Sequence, residues 1–209
     1  LFRSYLDLEN AELNYHPGWP ALTQLDGRLL VTDTQVEASV QGAGVHTGRV
    51  KYAEVNVTPR AKGGGSLLQV DGEISGAASD GIRVLREGML RQYLGSSMDS
   101  WSMQGEMQAT LDLDIPIGTG DKQPAGGRQQ VDVKLDVARF ELQNLNLALN
   151  DLSGNIRYSS ETGISSDTIK AQLFDEPVEA VLNTRKFDTY SQTLVDVNGA
   201  VDARKIAYW

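Results

Sequence analysis

Met107-Gln108-Ala109-Thr110-Leu111-Asp112-Leu113-Asp114-Ile115-Pro116-Ile117 alternates apolar with polar residues until Pro116. A strand points successive side chains to opposite faces, so this stretch reads as a strand with one greasy face and one wet face. Pro116 cannot donate to a ladder and Gly118 follows, so the strand ends there. Outward from it the same rule recurs. Val131, Val133, Leu135 and Val137 alternate with Asp132, Lys134 and Asp136, and Leu145, Leu147 and Leu149 alternate with Asn144, Asn146 and Asn150. Shorter runs are Val36, Ala38 and Val40, then Ala53, Val55 and Val57 stopped at Pro59, and finally Val195, Val197 and Val201. Ile169, Ala171 and Leu173 enter Asp175-Glu176-Pro177 while Val178, Ala180 and Leu182 leave it, which predicts a hairpin. Turn signals stand between the runs at 62–66, 118–121 and 125–127, and short connections predict antiparallel neighbours. The count is roughly fourteen strands.

One segment breaks the rule. From Asp80 to Leu94, Ile82, Leu85, Met89 and Tyr93 fall at steps of three and four, the helical period. Ser79 or Asp80 is the predicted cap, Gly95 the predicted stop, and Glu87 and Arg91 a favourable pair on the outer face. Gly81 and Gly88 weaken such a helix by roughly 1 kcal/mol each relative to Ala, so packing must hold it. The expectation is an amphipathic helix lying on the sheet over an edge or an end; a lid over a cavity is the functional version.

A tag of apolar residue, small polar residue, Gly, any residue, apolar residue centres on Gly27, Gly72, Gly105, Gly154 and Gly199, spaced by 45, 33, 49 and 45 residues. Recurring units of this kind stack, each needing its neighbours to cover its apolar face. The predicted role of the tag is to bend the ribbon, glycine taking backbone angles closed to other residues.

Composition narrows the function. A net charge of −9 argues against nucleic acid and against docking on an anionic membrane surface. With no cysteine there is no disulfide, thiolate nucleophile or thiolate metal site. No apolar run is long enough for a membrane-crossing helix and no signal-peptide pattern is present, while both ends read like the middle of something. The expectation is a piece of a larger protein whose anchoring segments lie outside it.

Chemistry finds little support. His16 and His46 have no metal-ligand partners at useful spacing, and His16 sits in the proline-bracketed turn Tyr15-His16-Pro17-Gly18-Trp19-Pro20. The carboxylate pairs Asp112/Asp114 and Asp132/Asp136 lie on the polar side of strands, where solvation accounts for them. Gly63-Gly64-Gly65 lacks the Lys and helix of a phosphate loop, no Gly-x-Ser-x-Gly elbow exists, and Asn56-Val57-Thr58 before Pro59 is noise as a glycosylation sequon. The apolar rows remain. Periodicity alone leaves open whether they fill a closed sandwich core or line an open trough, since both place Leu, Val and Ile at every second position.

Several stretches in order resemble the YhdP family. They are Tyr15 to Leu22 leading into Leu25-Asp26-Gly27-Arg28-Leu29, the Trp101 strand running to Ile115-Pro116-Ile117, Val131-Asp132-Val133, Leu152-Ser153-Gly154-Asn155-Ile156-Arg157-Tyr158-Ser159 with Gly163-Ile164, and Ile169 to Phe174. The resemblance spans nearly the whole chain and places it in the AsmA-like group alongside TamB. It implies an inner-membrane anchor, a long periplasmic β-structure of a Gram-negative cell envelope, and phospholipid carried toward the outer membrane. The implied fold is a long curled sheet with an apolar groove, likened to a taco shell and to eukaryotic bridge-like lipid-transfer proteins.

The resulting expectation is a mainly β chain, an elongated antiparallel sheet curled into a groove, with one amphipathic helix around 80–94. Residues 1–209 form a single fragment of a longer periplasmic β-groove domain, with strands over 1–78, helix over 79–95 and strands over 96–209. Phospholipid is the expected cargo, with other envelope proteins as further partners, no nucleic acid, no cofactor and no catalysis. Membrane contact comes only through segments outside the chain. The expected lining is Leu111, Leu113, Ile115, Val133, Leu135, Leu145, Leu147, Leu149, Ile169 and Leu173. The alternatives are a non-catalytic β-sandwich scaffold that docks envelope partners and, more distantly, a carbohydrate-binding sandwich, for which Trp19, Trp101 and Trp209 are too dispersed.

Overall fold

In a computed structural model, which describes residues 2–14, 20–60, 65–87, 99–118, 127–187 and 191–207, strand pairing follows chain order. Strands β1 (Arg3–Leu13), β2 (Leu22–Thr32), β3 (Val36–Val45), β4 (Gly48–Pro59) and β5 (Ser66–Ala77) pair in sequence. Helix α1 (Ala78–Glu87) follows, and then β6 (Trp101–Ile117), β7 (Gln129–Leu142) and β8 (Leu147–Ser159). β8 pairs with two short strands, β9 (Gly163–Ser166) at one end and β10 (Ile169–Leu173) at the other. Next come β11 (Glu176–Lys186), β12 (Ser191–Gly199) and the short helix α2 (Ala203–Ala207). Every pairing is antiparallel; most neighbours are joined by short connections that return the chain beside itself, and β5 and β6 by the longer segment that carries α1.

The described strands form one twelve-stranded sheet that does not close into a barrel, with β1 and β12 at its edges. The two-layer sandwich is therefore not the architecture. Twelve strands replace the fourteen read from alternation, and the eleven along the path span on the order of 50 Å rather than about 65 Å. The chain exposes 13469 Å², against about 9,600 Å² for a compact protein of its mass. Among the described residues no helix is long and apolar enough to cross a membrane.

The predicted hairpin forms. Leu173 pairs Glu176 across Phe174 and Asp175, both with positive φ (53° and 63°), the backbone that matches a two-residue turn to strand twist. Two readings need correction. α1 begins at Ala78, directly after β5, so Ser79 and Asp80 lie inside its first turn instead of capping it; Asp80 accepts hydrogen bonds from the Thr47 N–H and hydroxyl at 3.0 and 2.5 Å. Gly88, Met89, Arg91, Tyr93 and Gly95 lie outside the described residues, as does the Tyr15–Trp19 turn. Leu145 belongs to a 3₁₀ turn, Gln143–Leu145, and Asn146 takes a left-handed φ of 48°, so β8 starts only at Leu147. Local side-chain and backbone geometry at Asn interrupted what looked like continuous alternation.

Candidate functional site: a creased apolar face

Register assembles the alternating residues into rows that cross the sheet. One runs Leu6, Leu29, Ala38, Val55, Val70, Leu113 from β1 to β6. The next runs Leu8, Gly27, Val40, Ala53, Gly72, Leu111, Val131, Tyr158, Ile164 from β1 to β9. Residues facing each other in a ladder share a face, so one side of the sheet is apolar over most of its length.

That face is creased. Register shifts fall at Glu9–Asn10 in β1, at Gln24 in β2, Gln41 in β3, Lys51 in β4, Ala138 in β7 and Asp151 in β8. Asn10, Gln24 and Asp151 hold left-handed φ values of 48° to 50°, and the Asn10 N–H is secured by Asp26 at 2.9 Å. A bulge bends its strand, and side chains on the inside of a bend are covered from both arms. Several of the most buried residues lie beside these positions: Leu25 (1 % exposed), Ala43, Val50, Val137 (0 %), Leu152 and Ala171. They form two clusters, one on β2–β4 and one centred on β7, β8, β10 and β11 with Ala78 of α1.

The tag glycines play a narrower part than predicted. At Gly105, opposite the Ala138 bulge, φ is +134° and a Cβ would stand 2.5 Å from the Asp136 carbonyl oxygen. Gly72, by contrast, sits in the unbroken β5–β6 register, and Gly199 simply ends β12. The left-handed angles of the crease fall on Asn10, Gln24 and Asp151 instead.

Two arms leave the crease. The short arm, toward α1, holds Met103, Phe140, Leu149 and Leu173 packed against the buried cluster, with Trp101 edge-on to Phe140 at 5.4 Å. The long arm carries Val55, Val57, Leu68, Val70, Leu111, Leu113, Ile115 and Val131, all half-buried and part of neither cluster.

The ten expected lining residues divide accordingly. Leu111, Leu113 and Ile115 stand at successive inward positions on the long arm. Val133, Leu149 and Leu173 pack against the buried cluster, while Leu135 and Ile169 are 7 % and 6 % exposed within it. Leu147 pairs Leu142 on the short arm, and Leu145 is 49 % exposed on its turn. Sequence reasoning missed the β2 and β5 contribution to these rows. In Leu29-Leu30-Val31 an apolar residue also occupies the outward position, which hides the period, and only pairing places Val70 between Val55 and Leu113.

The opposite face carries charge in cross-strand pairs. Arg128 holds Asp112 through two contacts at 2.6 and 2.7 Å, Gln69 donates to Asp114, and Lys51 and Gln108 both meet Glu73. Arg157 and Gln130 donate to Asp132 at 2.5 and 2.8 Å. Partial burial pushes the Asp132 carboxyl up, but these hydrogen bonds outweigh it and hold it below the usual carboxylate range. Of the four carboxylates weighed for catalysis, Asp112, Asp114 and Asp132 are engaged in salt links. His46 occupies the β3–β4 turn with φ 50°. Among the described residues no group of His, Cys, Asp and Glu could hold a metal, and no polar or charged residue is buried.

A single unclosed sheet, bent at its register shifts and apolar over one face, presents an extended surface. The sequence profile described as YhdP protein matches residues 1–209, and the chain belongs to that family. Over 198 residues it is 26% identical to the intermembrane phospholipid transporter YhdP of Escherichia coli (strain K12), an alignment covering 95% of the chain and 15% of the relative. No solved structure matches.

Proposed function

We propose that this chain is a section of a periplasmic lipid conduit, anchored to the inner membrane through segments outside it, that shields phospholipid acyl chains on the way to the outer membrane. The observation that carries the reading is the long arm: contiguous apolar rows across β2–β7 that, among the described residues, no second layer covers. The family relative's name supplies the cargo class.

The mechanism is desolvation. Each methylene sheltered from water is worth about 0.8 kcal/mol, so a wall of Leu and Val lowers the cost of moving an acyl chain between membranes. The sheet presents such a wall with no barrier at any strand boundary, because the rows cross the ladder. Head groups stay outside, at the strand ends, and catalysis has no part. Residues 1–209 act as one segment of a longer β-groove of the same construction. Of the expected lining, Leu111, Leu113 and Ile115 are the contact residues, joined by Val55, Leu68 and Val70; Leu135 and Ile169 serve the crease.

The test is Leu113→Asp in the full-length protein. The expected result is loss of phospholipid detected by native mass spectrometry of the purified protein, and loss of transport, with the thermal melt retained. A variant that keeps its lipid, or that loses its cooperative melt, overturns the reading, the latter because Leu113 is then closed core.

A further inference from the structure

α1 covers the short arm with a small contact. Among its described side chains Ala78 and Ile82 are buried, and Gly81 lies so close to Met107 that a Cβ there would overlap the Met107 sulfur. Outside that contact it is tied by polar links at its two ends. Asp80 accepts from the Thr47 backbone and hydroxyl in an exposed position, and Arg86 donates to the Trp101 carbonyl. What it covers is continuous with the long arm: on β6 the inward positions run Ile115, Leu113, Leu111, Ala109, Met107, with Met103 beyond the crease at Gly105. Methionine is the apolar side chain that most readily repacks around a new neighbour.

We propose, building on the trough reading, that α1 is a lid: it swings off Met103 and Met107 to admit acyl chains to the short arm and closes over the two methionines when the groove is empty. The Asp80–Thr47 link is its latch. It sits on the solvent side, joins the lid to the β3–β4 turn, and breaks without exposing a charge that was buried. Closed, the lid half-buries the two methionines. Open, it widens the apolar wall from one arm to two, as a lipid with two acyl chains requires.

The test uses the full-length protein with any other cysteines replaced by serine, carrying Thr47→Cys and Asp80→Cys. A short bis-methanethiosulfonate reagent bridges the pair and dithiothreitol releases it. Each form is loaded with a phospholipid bearing a diazirine in its acyl chain, irradiated, and mapped by peptide mass spectrometry. The expected result is strong labelling of Leu111–Ile115 in both forms, with labelling of Met103 and Met107 at least ten-fold lower when bridged and restored on release. A second variant, Thr47→Val with Asp80→Ala, removes the latch without a cross-link and is expected to raise Met107 labelling several-fold relative to Leu113. Equal labelling of Met107 in bridged and released forms, or none in either, overturns the lid while leaving the trough in place. Absence of label from Leu111–Ile115 as well overturns both.

Discussion

Val137 and Leu113 are apolar residues of adjacent strands on the same face of the same sheet, yet one is wholly buried and the other half-exposed. Nothing in their chemistry separates them. The difference is position relative to the bulges: Val137 adjoins Ala138, where the ladder slips and the strand bends, and Leu113 stands on the arm beyond. A crease turns part of a single layer into a core of its own, which lets the remainder stay uncovered without loss of the fold. Buried core and half-exposed apolar surface are thereby separated along each strand instead of between layers.

The comparison breaks most sharply with a charge at each site. Val137→Asp, or Leu25→Asp on the other cluster, places a carboxylate where nothing pairs it and is expected to abolish the cooperative melt. Leu113→Asp, on the open arm, is expected to cost under about 1.5 kcal/mol in urea unfolding while removing bound lipid. Next in size is Leu152→Ala at the crease, expected to lose about 2–5 kcal/mol through the cavity it leaves, where Leu111→Ala loses well under half of that. Gly105→Ala tests the crease backbone itself. Its φ of +134° and the 2.5 Å approach of a Cβ to Asp136 O predict a loss of about 1–3 kcal/mol by thermal melt.

The smallest effect is on the polar face. Asp132 titrates below its usual range in the folded chain, so its pairing with Arg157 adds stability above the unfolded carboxylate pKa and loses it as pH falls through the folded value. The pair is solvent-exposed, so Arg157→Ala is expected to lower the urea midpoint only slightly at pH 7 and not at all at a pH low enough to protonate Asp132 in the folded chain. Urea midpoints at the two pH values measure it.

Much of the fold was legible because strand alternation is a local property. Met107–Ile117 and Val131–Val137 read as strands from their own residues, and the Phe174–Asp175 turn from the polar and proline residues after Leu173. Leu145 misled because a left-handed Asn146 breaks the strand without breaking the apolar spacing. The start of α1 misled in the opposite sense: Ser79 and Asp80 look like caps, but Asp80 spends its carboxylate on Thr47, a partner 33 residues away. α2 went unread because its five residues carry too little periodicity. The crease was beyond local reading. It depends on which residue slips against which neighbour, and residues such as Gln24, Gln41 and Lys51 carry no preference that announces a bulge. Inward-facing residues were legible from alternation, but their division between bend and open arm was not.

Strands here meet chiefly the strands on either side of them, from β1 at one edge to β12 at the other. Cohesion is then passed hand to hand, in the manner of a linear chain of coupled units. Amide hydrogens of β1 and β12 should exchange first and those of β6 and β7 last, in a graded profile that fixes where opening starts. Such a ribbon can lose an outer strand and re-form it without dissolving its centre, so its length and its durability are set by separate parts of the sequence.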